Sequence, residues 1–190
     1  NIPNGAGLSS SASIEIAMSV VLKGLYNLDV DMIKMVKLSQ KAENSFIGVN
    51  CGIMDQFATG MGKKDSAILL DCNTLKYDYA PVVLKDAAIV IGNTNKRRGL
   101  ADSKYNERRG ECERALSQLK EKLNITSLGN LSIAEFEINK EIITNEIDRK
   151  RAKHAVYENQ RTLEAVEKLG QGDIEAFGKL MNQSHISLRD

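Results

Sequence analysis

Residues Asn4-Gly5-Ala6-Gly7-Leu8-Ser9-Ser10-Ser11-Ala12-Ser13 form a Gly/Ser-rich stretch that runs unbroken into the apolar segment Ile14 to Leu25. This junction constrains the chain more than any other feature, because it joins a permissive loop directly to the start of a helix. Gly5 and Gly7 accept positive φ and let a ligand approach the backbone. The serines leave N–H groups and hydroxyls at the helix start, where unpaired donors and about half a positive charge suit a phosphate. The same residues can also do no more than cap the helix, and on the stretch alone both readings stand. It is not a P-loop, since no Gly-Lys-Ser/Thr follows the glycines.

Composition narrows the partner. The chain has 190 residues, 42% of them hydrophobic, enough for a buried core in one large domain or parts of two. Its 26 basic and 25 acidic residues leave no charge excess for nucleic acid or a membrane surface. No apolar run reaches the roughly 18 residues of a membrane span. A small molecule is therefore the expected partner, with no nucleic acid and no membrane. Cys51, Cys72 and Cys112 make neither a metal-ligand pair nor an even disulfide set, which predicts a reducing, cytoplasmic setting. The cysteines are expected to be buried hydrophobes rather than nucleophiles. The chain starts without Met inside a motif and stops abruptly, so it reads as a piece of a longer protein.

Periodicity predicts an α+β chain. A helix over 10–24 is nearly all apolar or small and is expected to be buried on most sides, with Gly24 and Asn27 as stop signals. Asp29 or Asp31 caps a second helix over 31–45. There Met32, Met35, Val36, Ala42 and Phe46 share one face, and Lys34, Lys37 and Lys41 a solvated one. A turn-rich link over 46–52 leads to a short helix over 53–61. Strands over 67–70 and 75–79 flank the Asp71-Cys72-Asn73-Thr74 turn as a hairpin. The apolar run 87–92 reads as a strand buried on both faces, and Pro81 as a change of lobe, giving domains 1–80 and 81–190.

From about 101 the pattern is helical. Cys112, Ala115, Leu116, Leu119 and Leu123 stripe one helix, and a weaker one covers about 132–139. Ala152, Ala155, Val156, Leu163 and Val166 stripe a long helix closed by Gly170 and Gly172. Asp173 caps a last one carrying Ile174, Phe177 and Leu180.

Three sets of residues carry possible chemistry. Ser11 and Glu43 offer the hard oxygens that Mg²⁺ takes beside phosphate and water, with Ser10 a close second to Ser11; the alternative is a helix cap and an exposed helix acid. Asp55, in Cys51-Gly52-Ile53-Met54-Asp55-Gln56, sits among apolar neighbours and is expected to be partly desolvated, as either a cap or a functional carboxylate. His154 and His185 lack an evident orienting acid and are expected to have structural roles.

Several of these motifs, in this order, resemble the galactokinases, grouped with the homoserine, mevalonate and phosphomevalonate kinases. The string Ile2-Pro3-Asn4-Gly5-Ala6-Gly7-Leu8-Ser9-Ser10-Ser11-Ala12-Ser13 resembles their phosphate loop. Ala42-Glu43-Asn44-Ser45-Phe46, Gly48 and Cys51-Gly52-Ile53-Met54-Asp55-Gln56 resemble the stretch with the metal-binding Glu and catalytic Asp, including the twelve-residue step between them. Asn93-Thr94-Asn95-Lys96-Arg97-Arg98, Leu100-Ala101 and Tyr105-Asn106-Glu107-Arg108-Arg109 resemble the segment with a sugar-contacting Tyr. Arg151-Ala152-Lys153-His154 and 184–190 extend the likeness over the whole chain.

The resemblance implies a two-lobed small-molecule kinase fold, incomplete at both ends, with a left-handed βαβ crossover against the usual rule. It implies ATP-dependent phosphorylation of galactose at its C1 hydroxyl. Gly5, Ala6, Gly7, Leu8, Ser9, Ser10, Ser11 and Arg97 would bind the nucleotide phosphates, and Ser11 and Glu43 the Mg²⁺. Asp55 would act as base or polarise the hydroxyl, and Gly52, Asp55 and Tyr105 would hold the sugar. A sugar motif would lie before Asn1 and a glycine-rich motif beyond Asp190, so the chain alone is expected to be inactive; a monomer is expected. An N-acetylgalactosamine kinase and a non-catalytic galactose and ATP sensor are the alternatives.

Overall fold

Helix α1 (Ser10–Tyr26) ends where Asn27 turns left-handed at φ 48° and its N–H reaches the Lys23 carbonyl. The computed structural model describes residues 2, 7–93 and 104–189. The chain divides into two units, 1–103 and 104–190.

In the first unit, α2 (Met32–Ala42) starts at Asp31, whose Oδ1 accepts the Lys34 N–H at 2.7 Å. Met35, Val36 and Ser39 face inward, while Lys34, Lys37 and Lys41 face solvent as their spacing predicts. A π turn, Glu43–Ile47, continues α2 and closes at Gly48, whose φ of 83° suits glycine and whose N–H bonds the Glu43 carbonyl at 3.0 Å. This corrects the helix expected over 31–45. The wider turn shifts the register after Ala42, so Phe46 is 89% exposed rather than inward; Ala42, at the end of α2, is exposed as well.

Helix α3 (Met54–Met61) packs on both α1 and α2. The hairpin then pairs β1 (Ser66–Leu70) antiparallel with β2 (Tyr77–Pro81), Ile68 opposite Tyr79. The second strand starts later than the pattern predicts because Asp71 holds a longer turn. Its carboxylate accepts the Asn73 N–H and the Thr74 hydroxyl, both at 2.8 Å, and Leu75 is left-handed at φ 60°. Ile16, Val36, Ile53 and Phe57 form the core, with Ile68, Leu70 and Tyr77 of the hairpin side against it. Phe57 and Tyr77 meet edge-to-face at 5.3 Å.

Two burial expectations are corrected. On α1 only Ala12 and Ile16 are buried, because α2 and α3 cover one side and nothing else described covers the other. Residues 87–92 are exposed and form no strand; the sheet among the described residues has two strands and offers them no partner.

The second unit is helical. It contains α4 (Lys104–Lys120), α5 (Ile133–Asn139), α6 (Glu146–Gln171) and α7 (Ile174–Arg189). Ala115, Leu119, Leu128, Phe136, Ile143, Ala152 and Val156 form its core. Ser132 and Glu135 make a reciprocal capping box at α5, and Asp173 accepts the Ala176 N–H at α7. On α6 the buried residue near the end is Leu169, whereas the expected Leu163 is 48% exposed. Arg114 grips the buried Asp148 with two hydrogen bonds, 2.9 and 2.7 Å, tying α4 to α6. Among the described residues no helix is long and apolar enough to cross a membrane.

Candidate active site

Three elements of the first unit carry the site: the start of α1, the π turn after α2 and the first turn of α3. Gly7 is left-handed at φ 70°, and Ser9, the residue before α1, is left-handed at φ 53°. A serine in that region stores backbone strain, which directs attention to the loop. The Ser9 hydroxyl makes no cap bond, and the first turn of α1 holds no acidic side chain. The helix start thus keeps its positive end open to an anion. Gly7 and Leu8 are exposed; Ser9, Ser10 and Ser11 are half-buried. Gly5 and Ala6, expected in the same loop, and Arg97 lie outside the described residues.

Glu43 opens the π turn, and its carbonyl collects the N–H groups of Gly48 and Val49 at 3.0 and 3.3 Å. Its side chain is 5% exposed, not the solvated helix acid that was one reading of the sequence. Beside it stands Glu15 of α1. Burial first, and then the Glu43 charge, push the Glu15 carboxyl above the usual glutamate range, while the Gln56 amide pulls it down. Glu15 lies one helical turn from Ser11, so both share one face of α1, and that face is turned to Glu43. Ser10 shares its face with Ile14, which is 58% exposed.

Asp55 lies in the first turn of α3 and is exposed, a correction to the expected partial desolvation. The helix turns Ile53, Gln56 and Phe57 inward and leaves Met54 and Asp55 outward. Gly52 is exposed just before the helix. Cys51 hydrogen-bonds Asn44 through its thiol at 3.2 Å, and its carbonyl accepts the Gln40 amide at 3.1 Å. Burial, then Glu43, push the Cys51 thiol up. Burial also raises Cys72 and Cys112, so none is an activated thiolate, although Cys72 is exposed rather than buried.

Tyr105 belongs to α4 of the second unit and is 52% exposed. His154 shares a 2.9 Å hydrogen bond with the Ser187 hydroxyl, the structural role expected of it. Among the described residues no three His, Cys, Asp or Glu side chains gather as a metal cage. Sequence reasoning missed Glu15 and Gln56. The available signal was a lone acid inside the apolar start of α1, one turn after Ser11.

Residues 1–63 match the GHMP kinases N terminal domain. Over its full length the chain is 63% identical to the galactokinase of Clostridium beijerinckii and 66% identical to that of Fusobacterium nucleatum, covering 49% of each. The crystal structure of Lactococcus lactis galactokinase complexed with galactose superimposes on the whole chain with a TM-score of 0.96 at 53% identity, again over 49% of that protein. The chain spans about half the length of the curated relatives it matches.

Proposed function

We propose, from the premise that this chain belongs to the galactokinase family, that its site serves ATP-dependent phosphorylation of galactose at the C1 hydroxyl. The observation that carries this reading is the packing of α1, α2 and α3 into one cluster. It joins an uncapped helix start, a buried carboxylate and an exposed one on a single support. Phosphoryl transfer asks for those three parts: phosphate donors, a metal ligand and a group for the attacking hydroxyl.

In this reading the loop from Gly5 to Ser11, with Arg97, binds the nucleotide phosphates. Ser11 and Glu43 would hold Mg²⁺, which when bound offsets charge on the phosphates. The residues fit a cation: Glu43 is buried beside Glu15, and the Glu15 Oε2 is buried without a hydrogen-bond partner. Ser11 is preferred to Ser10 because its face of α1 turns toward Glu43. Asp55 receives the proton of the C1 hydroxyl as that oxygen bonds the γ-phosphorus and the bond to the ADP oxygen breaks. Gly52 and Tyr105 belong to the sugar side. A division into lobes over 1–80 and 81–190 and a cytoplasmic setting, supported by three free cysteines, belong to the same proposal.

The test is ADP release, with ATP, Mg²⁺ and a panel of sugars, by a protein of the relatives' length that carries this segment. Galactose should support turnover, and Asp55→Asn should lower it by a factor of at least about 10² with nucleotide binding kept. Turnover of N-acetylgalactosamine in preference to galactose would reassign the substrate. Binding of galactose and ATP without any ADP release would make the protein a sensor.

A further inference from the structure

Three polar rungs join α4 to α6. The Gln118 amide oxygen accepts the Thr144 N–H at 2.9 Å, just ahead of α6. Arg114 donates to Asp148 at 2.9 and 2.7 Å, and Arg151 donates to Glu111 at 3.0 Å. The order 118, 114, 111 along α4 is answered by 144, 148, 151, so the helices run antiparallel and all three rungs belong to one register. Both acids are buried, Asp148 at 1% and Glu111 at 7% exposed. A buried ion pair adds little or nothing over an apolar pair of the same volume. Stability alone therefore does not account for two of them beside a core of Ala115, Leu119, Ala152 and Val156.

The order of the signs does account for them. Each helix carries an acid and then, on the same face, a base: Glu111 and Arg114 on α4, Asp148 and Arg151 on α6. In antiparallel packing every acid meets a base only in the observed register. A slip of one turn in one direction sets Glu111 against Asp148 and Arg108 against Arg151. A slip in the other direction sets Arg114 against Arg151. Like charges oppose both slips. Tyr105 lies in the first turn of α4, and a one-turn slip would carry it about 5.4 Å along the helix axis.

We propose that the pairs Glu111–Arg151 and Arg114–Asp148 are a register lock that fixes where α4 presents Tyr105, which makes Glu111 and Arg151 positioning residues for the sugar. This rests on the phosphotransfer reading, in which Tyr105 belongs to the sugar side. Glu111 and Arg151 act through α4 and not by touching the sugar. Only molecules in the native register bind sugar fully, so the apparent KM rises as their fraction falls.

The test uses the protein at the relatives' length, with Glu111→Arg alone and with the swap Glu111→Arg plus Arg151→Glu. The single variant repels Arg151 in the native register and attracts Asp148 one turn away. It should lower Tm and raise KM for galactose by about tenfold or more, with KM for ATP within about twofold. The swap restores an ion pair at every rung, but it gathers the bases on α4 and the acids on α6, so the slipped registers are paired too. It should recover Tm and still hold the galactose KM at least about threefold above wild type. Pairs that serve stability alone would return both quantities to wild type in the swap, and that result overturns the proposal. So does a single variant, assayed well below its Tm, whose galactose KM is unchanged or rises only in step with that for ATP. Should the single variant fail to fold, the galactose KM of the swap decides alone. A wild type that turns over no sugar overturns the phosphotransfer reading and this proposal with it.

Discussion

Glu43 is held where a bare carboxylate is unwelcome: it is 5% exposed and beside Glu15, whose carboxyl is raised in part by that charge. Like charges so placed destabilise the fold unless a cation joins them. Glu43→Gln keeps the shape and removes the repulsion. In a protein of the relatives' length it is expected to leave Tm, measured without nucleotide, equal or higher. The Mg²⁺ concentration for half-maximal activity should rise by about tenfold or more. A lower Tm, or an unchanged Mg²⁺ titration, would remove Glu43 from the metal site. The sequence singles out Glu43 and Asp55 as candidate acids, but their environments were not legible in it. Burial follows from rotation about a helix, and the π turn alters that rotation after Ala42. Around Asp55 the apolar neighbours Ile53 and Phe57 turn inward and leave the acid in solvent. Gln56 was invisible for the same reason, since nothing in its type marks it as the inward member of the pair.

Among the elements, helix positions were legible wherever caps and stripes agreed, as at Asp31, Ser132 and Asp173. Details set by one side chain, such as the Asp71 turn that delays β2, were not. The crossing of α2 and α3 rests on Gly60, where an added Cβ would lie 2.9 Å from Val36 Cγ2 and 3.0 Å from Met32 Sδ. Val36 is fully buried and branched at Cβ, so it cannot swing away. Gly60→Ala gains about 1 kcal/mol of helix propensity and loses about 1–3 kcal/mol to overpacking. The balance predicts a net destabilisation of about 1 kcal/mol by denaturant titration; a stabilised variant would mean that the two helices can part. In the second unit, His154 links α6 to α7 through Ser187. Burial first, then Arg161, Arg108 and Arg151, hold its folded pKa below the ordinary histidine range. The unfolded chain therefore takes up a proton that the folded chain refuses. The associated stability is present above the ordinary range and is lost as pH falls through it toward the lower folded value. Between about pH 7.5 and pH 5.5 Tm should drop, and His154→Gln should flatten that drop. An equal drop in the variant would assign it to other groups.

At the scale of the whole molecule, the sequence pattern records more burial than the described residues supply. Ile14, Met18, Val21 and Leu25 recur at helical spacing along α1 and are 58%, 54%, 52% and 73% exposed, which makes one continuous apolar stripe. Ile89, Val90 and Ile91 add a second apolar surface, at 73%, 89% and 60%. Single exposed apolar residues are ordinary, whereas contiguous ones mark a surface that something covers. The chain matches about half the length of its relatives, so the covering material is expected in a protein of their full length. The same substitution should then act with opposite sign in the two contexts. In the 190-residue chain alone, Met18→Lys should reduce hydrophobic-dye binding and self-association, because the stripe faces water. In a protein of the relatives' length it should lower stability by about 2 kcal/mol or more, because an unpaired cation would enter an apolar contact. Dye fluorescence and sedimentation of the chain, set against thermal unfolding of the longer protein, read both signs. If Met18→Lys leaves the longer protein's Tm unchanged, the α1 stripe is solvent-facing there too, and its apolar face requires another explanation.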